Sequence, residues 1–484
     1  MLLGPVRRIG FLLSSLVLGA AGTLAIPLAV AAYYGESAVV EAFTSAILIG
    51  VAVGAPGVFL LRTDLRGLTR REGFAVVALG WALVCFVGTL PFAFAGVLGP
   101  VDAWFECVSG FTGTGSSVIA DIESLPKGIL FWRSFTHWLG GMGFVVLYIA
   151  LFPLLGVGAM QLYRAEVPGL EVDRLRPRIR STARVLWLIY LGLSAVLTVL
   201  LLLGGMSLFD AVCQMFAAIG TGGFSTRNDS IAGFHSAYIE WVMVVFMWLA
   251  ATNFSLHWAV LTGRPGRLLK NPEWRFHGAV LAGFSLVVVL LVWGKTDASL
   301  GEAVRGGVFE VVSMGTTTGF ATADYELWPP LAQYLMFLLL FMGGSAGSTA
   351  GAMKVIRVQL FAKQALRGLF RTVHPQAVAP PRLGGRPVTA EMLRSVFSFI
   401  SLYLLTWLVG TALMSLTGMD FPTSSSSVAT AMGGVGPGLG DIGPTENFAW
   451  VSPAGKGILT FCMFAGRLEL YTVLLLFAPA FWRR

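Results

Sequence analysis

Apolar runs long enough to cross a bilayer as helices, about 20 residues each, recur along the whole chain. They lie near 9–34, 41–61, 72–96, 129–155, 183–204, 236–262, 276–294, 330–352, 393–416 and 455–481, and predict ten full spans. Shorter stretches separate spans three and four, five and six, seven and eight, and nine and ten. Each holds a short helical pattern, such as Val101–Phe111, Leu208–Ile219 or Leu300–Gly315, followed by a glycine-centred tip with small neighbours. Such a segment is too short to cross a bilayer but can dip in and return. Non-helical backbone at that depth is tolerated only where protein or a water-filled cavity covers it.

The tips are Thr112-Gly113-Thr114-Gly115, Gly220-Thr221-Gly222-Gly223, Thr316-Thr317-Thr318-Gly319 and Gly433-Gly434-Val435-Gly436. Their last glycines recur about every hundred residues, the mark of one unit built four times. The expected architecture is an all-α polytopic membrane protein. Four pseudo-symmetric repeats of span, half-helix, tip and span (M1–P-loop–M2) surround one pore, and two further transmembrane helices precede them. The boundaries read as 1–65 for the N-terminal pair and 66–160, 161–265, 266–375 and 376–484 for the repeats. Glycine allows backbone carbonyls to point inward, and a ring of carbonyls can replace the hydration shell of a cation. The half-helices would aim their carbonyl-rich ends at the same centre. Close helix packing through small residues is the plainer explanation for one such segment, but it accounts poorly for four in register.

Composition agrees with a membrane location: of 484 residues, 56% are hydrophobic and 12% charged, against about 25% charged in soluble domains. Arg7-Arg8 opens a run with no clear cleavage site, which reads as a retained first helix. Most Lys and Arg residues fall in alternate loops, among them Arg62, Arg66, Arg70, Arg71, Arg164, Arg174, Arg176, Arg178, Arg264, Arg267, Lys354, Lys363, Arg371, Arg483 and Arg484. The positive-inside rule places these loops and both termini in the cytoplasm, so that all four tips enter from outside. Most acids, including Asp102, Glu106, Asp210, Glu240, Glu310 and Glu326, fall on the outer half. They read either as an acidic mouth that concentrates cations or as ordinary solvated loop charges. The net charge of +8 reflects topology and contact with the lipid bilayer, not nucleic acid. The loop Lys354–Arg394, basic and then Pro-rich, reads equally as a docking site or as a loop lying on anionic lipid.

Two features suggest a gate. Arg467 sits midway along the last apolar run, where a charge costs about 3 kcal/mol or more and normally faces a cavity or a partner. It reads as lining the pore below the tips, or as a structural ion pair with Glu469 or another acid. Gly343, Gly344, Ser345, Ala346, Gly347, Ser348, Thr349, Ala350 and Gly351 interrupt the eighth run and read as a loop that blocks or opens the path, or as a kink for close packing. No nucleophile–base arrangement appears, so no enzyme is predicted and no organic cofactor. Gly438-Leu439-Gly440-Asp441-Ile442-Gly443 matches G-x-G-x-x-G but lacks the strand and helix a dinucleotide site needs. The histidines are scattered and make no metal cluster, and His137 and His257, in spans, read as packing or hydrogen-bonding residues in preference to proton carriers. The four cysteines, Cys85, Cys107, Cys213 and Cys462, read as buried free thiols.

Ser109-Gly110-Phe111-Thr112, Thr221-Gly222-Gly223-Phe224-Ser225-Thr226, Thr316-Thr317-Thr318-Gly319-Phe320 and Gly436-Pro437-Gly438-Leu439-Gly440 resemble the filter loops of Trk-type potassium uptake proteins, in the superfamily that includes Ktr and HKT transporters. Trp138-Leu139-Gly140-Gly141, Met160 to Glu166, Leu175-Arg176-Pro177-Arg178-Ile179, Gly347-Ser348-Thr349 with Lys354 to Arg357, and Gly466-Arg467-Leu468-Glu469 match as well. The resemblance covers essentially the whole chain. It implies a subunit of a bacterial inner membrane that takes up K⁺, and Rb⁺, usually as a homodimer with one pore per protomer. It also implies a cytosolic RCK-type regulatory subunit binding NAD or ATP/ADP. Gly113 stands where that family usually has threonine, and Gly433-Gly434 where paired asparagines are common. Both changes keep the carbonyls and remove side-chain hydrogen bonds. A coupled K⁺/H⁺ or K⁺/Na⁺ secondary symporter is the alternative class.

Overall fold

Helices make up most of the chain, as the apolar pattern requires. The computed structural model describes residues 3–64, 69–151, 179–376 and 381–479. Met160–Glu166, Leu175 to Arg178, Arg66, Arg164, Arg174, Pro380, Arg483 and Arg484, with the proposed boundaries at 66 and 160, lie outside the described residues. The first helices are α1 (Leu3–Thr23), α2 (Ala25–Tyr33), α3 (Ser37–Leu60) and α4 (Arg70–Phe94). Beyond them come α5 (Pro100–Thr112), α6 (Lys127–Leu151), α7 (Ile179–Leu203), α8 (Leu208–Ile219), α9 (Ala237–Ala250) and α10 (Phe254–Leu261). The series continues with α11 (Gly266–Leu269), α12 (Pro272–Lys295), α13 (Leu300–Gly315), α14 (Pro330–Leu339) and α15 (Val355–Val373). It ends with α16 (Ala390–Ser415), α17 (Phe421–Gly433), α18 (Pro453–Arg467) and α19 (Leu470–Leu474). Among the described residues the one sheet is a hairpin pairing Arg382–Leu383 with Arg386–Pro387.

Six described helices are long and apolar enough to cross a membrane, or seven if the bent pair α9–α10 is one span. The 9–34 run is interrupted only at Leu24, between α1 and α2, and still counts as one span; three others of the ten expected spans are broken more sharply. The 236–262 run bends by 102° between α9 and α10. The 330–352 run is helical only as far as Leu339, and helix resumes at Val355. The last run stops at Arg467, because Glu469 takes a left-handed φ of 62° before α19. The second break is the Gly343–Gly351 interruption already visible in the residues, and there the freed backbone is satisfied elsewhere in the protein.

The half-helices α5, α8, α13 and α17 start with strong local signals. Ser207 caps α8, a capping box of Ser299 and Glu302 opens α13, and Asp420 caps α17; Pro100 stands in the first turn of α5. Their inner ends are buried on every side: from Phe105 to Thr112, and from Thr423 to Gly433, each residue is enclosed. A short helix buried all round must sit in the middle of a protein. By contrast, Leu48, Val53, Leu203, Leu286 and Leu405 lie exposed on the long helices, as lipid-facing positions do.

The N-terminal pair packs through small residues. A β-carbon on Gly50 would lie 2.6 Å from Ala21 Cβ, and one on Gly54 would lie 2.7 Å from Leu18 Cγ. Arg8 then reaches Glu72 on α4 at 2.6 Å. We expect Gly54→Leu to push α1 from α3 at an overpacking cost of about 1–3 kcal/mol. Thermal unfolding in detergent should show a lower midpoint, and an unchanged midpoint would contradict this packing.

Candidate ion pore

Each half-helix runs straight into its tip, and the four tips share one backbone. Two residues before each last glycine, Gly113, Thr221, Thr317 and Gly434 have φ of 68°, 51°, 58° and 67°. The last glycines, Gly115, Gly223, Gly319 and Gly436, have φ of 83°, 81°, 77° and 105°. The residue between donates its N–H to the helix end in every tip: Thr114 to Ser109 O, Gly222 to Ala217 O, Thr318 to Ser313 O (each 2.8–2.9 Å), and Val435 to Thr430 O at 3.2 Å. Threonine at 221 and 317 therefore holds a conformation that costs most residues 1–3 kcal/mol, and it persists because the surroundings enforce it.

The tips also close on one another. A β-carbon on Gly115 would overlap the Gly222 carbonyl oxygen, one on Gly223 the Thr318 carbonyl, and one on Gly319 the Val435 carbonyl. The circuit ends with Gly436, where a β-carbon would stand 3.0 Å from the Thr114 carbonyl oxygen. Each tip thus abuts the next in sequence order, and the fourth returns to the first. Ser116 Oγ donates to Gly436 O at 3.1 Å across the same closing seam. The hydroxyls of Thr114 and Thr318 are held by Thr112 and Thr316, at 2.8 Å in both tips.

On the helix-C-terminal side of the ring lie the two gate candidates. Gly343, Gly344, Ser345, Ala346, Gly347, Ser348 and Thr349 form a non-helical segment between α14 and α15. Ser345 N–H donates to Ala251 O at 2.9 Å, Ala346 N–H to Glu273 Oε1 at 2.8 Å, and Phe254 N–H to Gly347 O at 3.1 Å. The bend between α9 and α10 therefore exposes the carbonyl and amide groups that receive this segment. Its far end touches the ring: Gly351 N–H donates to Thr317 Oγ1 at 2.8 Å. Arg467 enters from α18, 6% exposed, and donates to Thr349 O at 2.7 Å and Gly140 O at 3.2 Å. One of its guanidinium nitrogens would be 3.8 Å from a β-carbon on Gly113. Glu469, one of the expected acid partners, pairs instead with Arg357 at 3.0 Å.

Three of the acids that read either as an outer mouth or as solvated loop charges are buried. Glu106 and Glu310 are buried inside α5 and α13, and Glu240 inside α9. Glu106 accepts from Arg133 Nε at 2.6 Å and from Val118 N–H at 2.9 Å. Arg133 also donates to Ser225 O and stacks on Phe224, and His137 lies on the other side of that neighbourhood, stacked on Phe224 at 4.1 Å. Hydropathy alone hid Glu106 and Glu310; the available signal was that each stands at the same distance before the last glycine of its tip, Gly115 and Gly319. Cys85, Cys107, Cys213 and Cys462 are buried free thiols as expected. Gly438 to Gly443 forms a tight turn closed by Gly438 N–H to Ile442 O at 2.8 Å, with no preceding strand.

The chain is mostly helical, with several helices apolar enough to cross a membrane, and four glycine-rich tips close on one another inside it. Comparison with known proteins gives the class as a transporter. The family model TrkH, "Cation transport protein", matches residues 40–484. The Trk system potassium uptake protein TrkH of Escherichia coli K12 is 40% identical over 482 residues, 99% of each chain. The Trk system potassium uptake protein TrkG of the same organism is 34% identical over 461 residues, 94% of each. The crystal structure of the potassium transporter TrkH from Vibrio parahaemolyticus superimposes with a TM-score of 0.91 at 36% identity, covering 99% of this chain and 100% of that one. The chain belongs to the TrkH family of cation transport proteins.

Thr317 Oγ1 accepts a direct hydrogen bond that links ring and interrupting segment. Thr317→Val keeps the shape and removes that acceptor, a loss of about 1 kcal/mol. Hydrogen exchange in the peptide spanning residues 343–354 should quicken roughly fivefold; unaltered exchange would show that the link holds nothing.

Proposed function

We propose that this chain takes up K⁺, and accepts Rb⁺, through a pore filtered by backbone carbonyls. The metal-binding residues are the four tips, 112–115, 220–223, 316–319 and 433–436. The observation that carries the reading is the closed circuit of glycine–carbonyl contacts, built on a left-handed residue two before each last glycine. That alternation turns successive carbonyls toward one axis, where they can stand in for water around a dehydrated cation. The half-helix ends add partial negative charge at the same place. In this reading the repeats 66–160, 161–265, 266–375 and 376–484 each contribute one quarter of the ring, and helices within 1–65 stand outside it.

The segment 343–349 and Arg467 form the gate. The segment is seated by hydrogen bonds from its amides, so it can be released without breaking a helix. Arg467 places positive charge beside the tips while its guanidinium is held by carbonyls, and a cation leaving the filter meets it. The membrane potential supplies the drive, about 2.3 kcal/mol per charge per 100 mV. Both termini face the cytoplasm of a bacterial inner membrane, and a homodimer with a cytosolic nucleotide-binding regulator of the RCK type completes the assembly. These last assignments rest on family membership.

Gly319→Ala should abolish uptake, because a methyl group there meets both a positive φ and the Val435 carbonyl. Growth of a K⁺-uptake-deficient bacterium at low K⁺, and radioactive Rb⁺ flux into liposomes, read the loss; wild-type flux would remove the filter from this site. Arg467→Ala should raise basal Rb⁺ flux in the same liposomes, and unchanged flux in a folded variant would remove the gate role. Single-channel recording should show discrete conductance steps, whereas a fixed ion stoichiometry would point to a coupled symporter.

A further inference from the structure

The ring is built mostly of glycine and threonine whose hydroxyls are tied up locally, so its carbonyls have little side-chain support of their own. Their positions depend on how the two ends of each tip are held. The inner end is fixed by the repeated amide bond to the half-helix. The outer end is the limb that leaves the last glycine, and in all four tips one side chain of the half-helix reaches across to hold it.

The four contacts fall at matching places. Glu106 accepts from Ser117 Oγ at 3.0 Å and Val118 N–H at 2.9 Å. Gln214 Nε2 donates to Ser225 Oγ at 2.7 Å and lies 3.4 Å from Thr226 Oγ1. Glu310 Oε1 accepts from Thr322 N–H at 2.6 Å and Ala323 N–H at 3.1 Å. Ser426 Oγ accepts from Leu439 N–H at 3.0 Å and donates to Leu439 O at 2.8 Å. Glu106, Gln214 and Glu310 share one register relative to Gly115, Gly223 and Gly319, and Ser426 is displaced by a single residue. All four side chains are buried. The struts differ in charge. Glu106 is matched by Arg133 at 2.6 Å, whereas Glu310 Oε2 has no hydrogen-bond partner among the described residues, and neither has Gln214 Oε1.

Resting on the filter reading above, we propose that Glu106, Gln214, Glu310 and Ser426 are positioning residues that set the spacing of the ring carbonyls and so determine which monovalent cation passes. The physical reason is that a carbonyl cage discriminates by geometry and field strength, and supporting groups that are left loose let the cage relax around the wrong ion. At Glu310 and Gln214 what matters is reach and hydrogen bonding, not charge: one oxygen or one amide bridges to the limb, and the remaining atom does nothing. At Glu106 the charge matters too, because Arg133 depends on it.

The experiment measures Rb⁺ and Na⁺ flux side by side in liposomes holding the full-length chain, for Glu310→Leu, Gln214→Leu, Ser426→Ala and Glu310→Gln. The first three should raise the Na⁺:Rb⁺ flux ratio by roughly tenfold, the scale on which outer-shell partners act at metal sites. Glu310→Gln keeps the acceptor and should keep the wild-type ratio. Ser426→Ala removes a single hydroxyl and remains informative if either leucine variant does not fold. A wild-type ratio in Ser426→Ala together with the folded leucine variants would overturn the proposal, as would a Glu310→Gln ratio matching that of Glu310→Leu. If the ratios stay unchanged while Gly319→Ala is dead, the struts fail and the filter stands. If Gly319→Ala transports normally, the filter itself fails.

Discussion

Backbone that leaves a helix at membrane depth must find partners inside the protein, and this demand organises the structure. The chain meets it at four tips and one long interruption. Each tip returns an amide to its own half-helix and lays its last glycine against the next tip's carbonyl. The interrupting segment hands its amides to the Ala251 carbonyl and to Glu273. The remainder of the fold encloses these five irregular pieces and keeps lipid from them. That is why the inner ends of the half-helices are buried all round while the long helices leave one face apolar and exposed.

The two irregular systems are joined. Thr317 belongs to a tip and also receives Gly351 N–H; Arg467 touches the Thr349 and Gly140 carbonyls. A β-carbon on Gly351 would overlap the Gly433 carbonyl oxygen, so the segment also lies against the fourth tip. Movement of the segment therefore changes contacts at two tips and at the buried arginine together. A gate placed here needs no large domain motion. It needs only the exchange of a few amide hydrogen bonds, each of modest net worth, for contacts with water or with another carbonyl.

Much of this was legible in the residues. Glycines at a regular distance, each after a short helical pattern, marked the tips, and three half-helices fall within a residue of where they were read. The seat of Arg467 near the tips followed from the cost of an isolated charge in lipid. The interruption at Gly343–Gly351 was legible as well, but the breaks in two other spans were not. At 236–262 the bend carries only a few short polar residues, Thr252, Asn253 and Ser255, in a long hydrophobic run, and Asn253 caps α10. At 455–481 the break depends on the left-handed Glu469, a conformation that hydropathy does not record. Glu106 and Glu310, which read either as an acidic mouth or as solvated loop charges, are instead buried for a similar reason: a carboxylate inside a half-helix and one in a loop look alike until the return limb is seen to need an acceptor.

Anomalous scattering from crystals grown in Rb⁺ tests the central claim most directly. Density is expected on the axis between the carbonyls of residues 113–115, 221–223, 317–319 and 434–436, with peptide oxygens from all four tips around it. Rb⁺ density away from that axis, or held by side chains of fewer than four tips, would contradict a ring of backbone carbonyls as the ion's binding place.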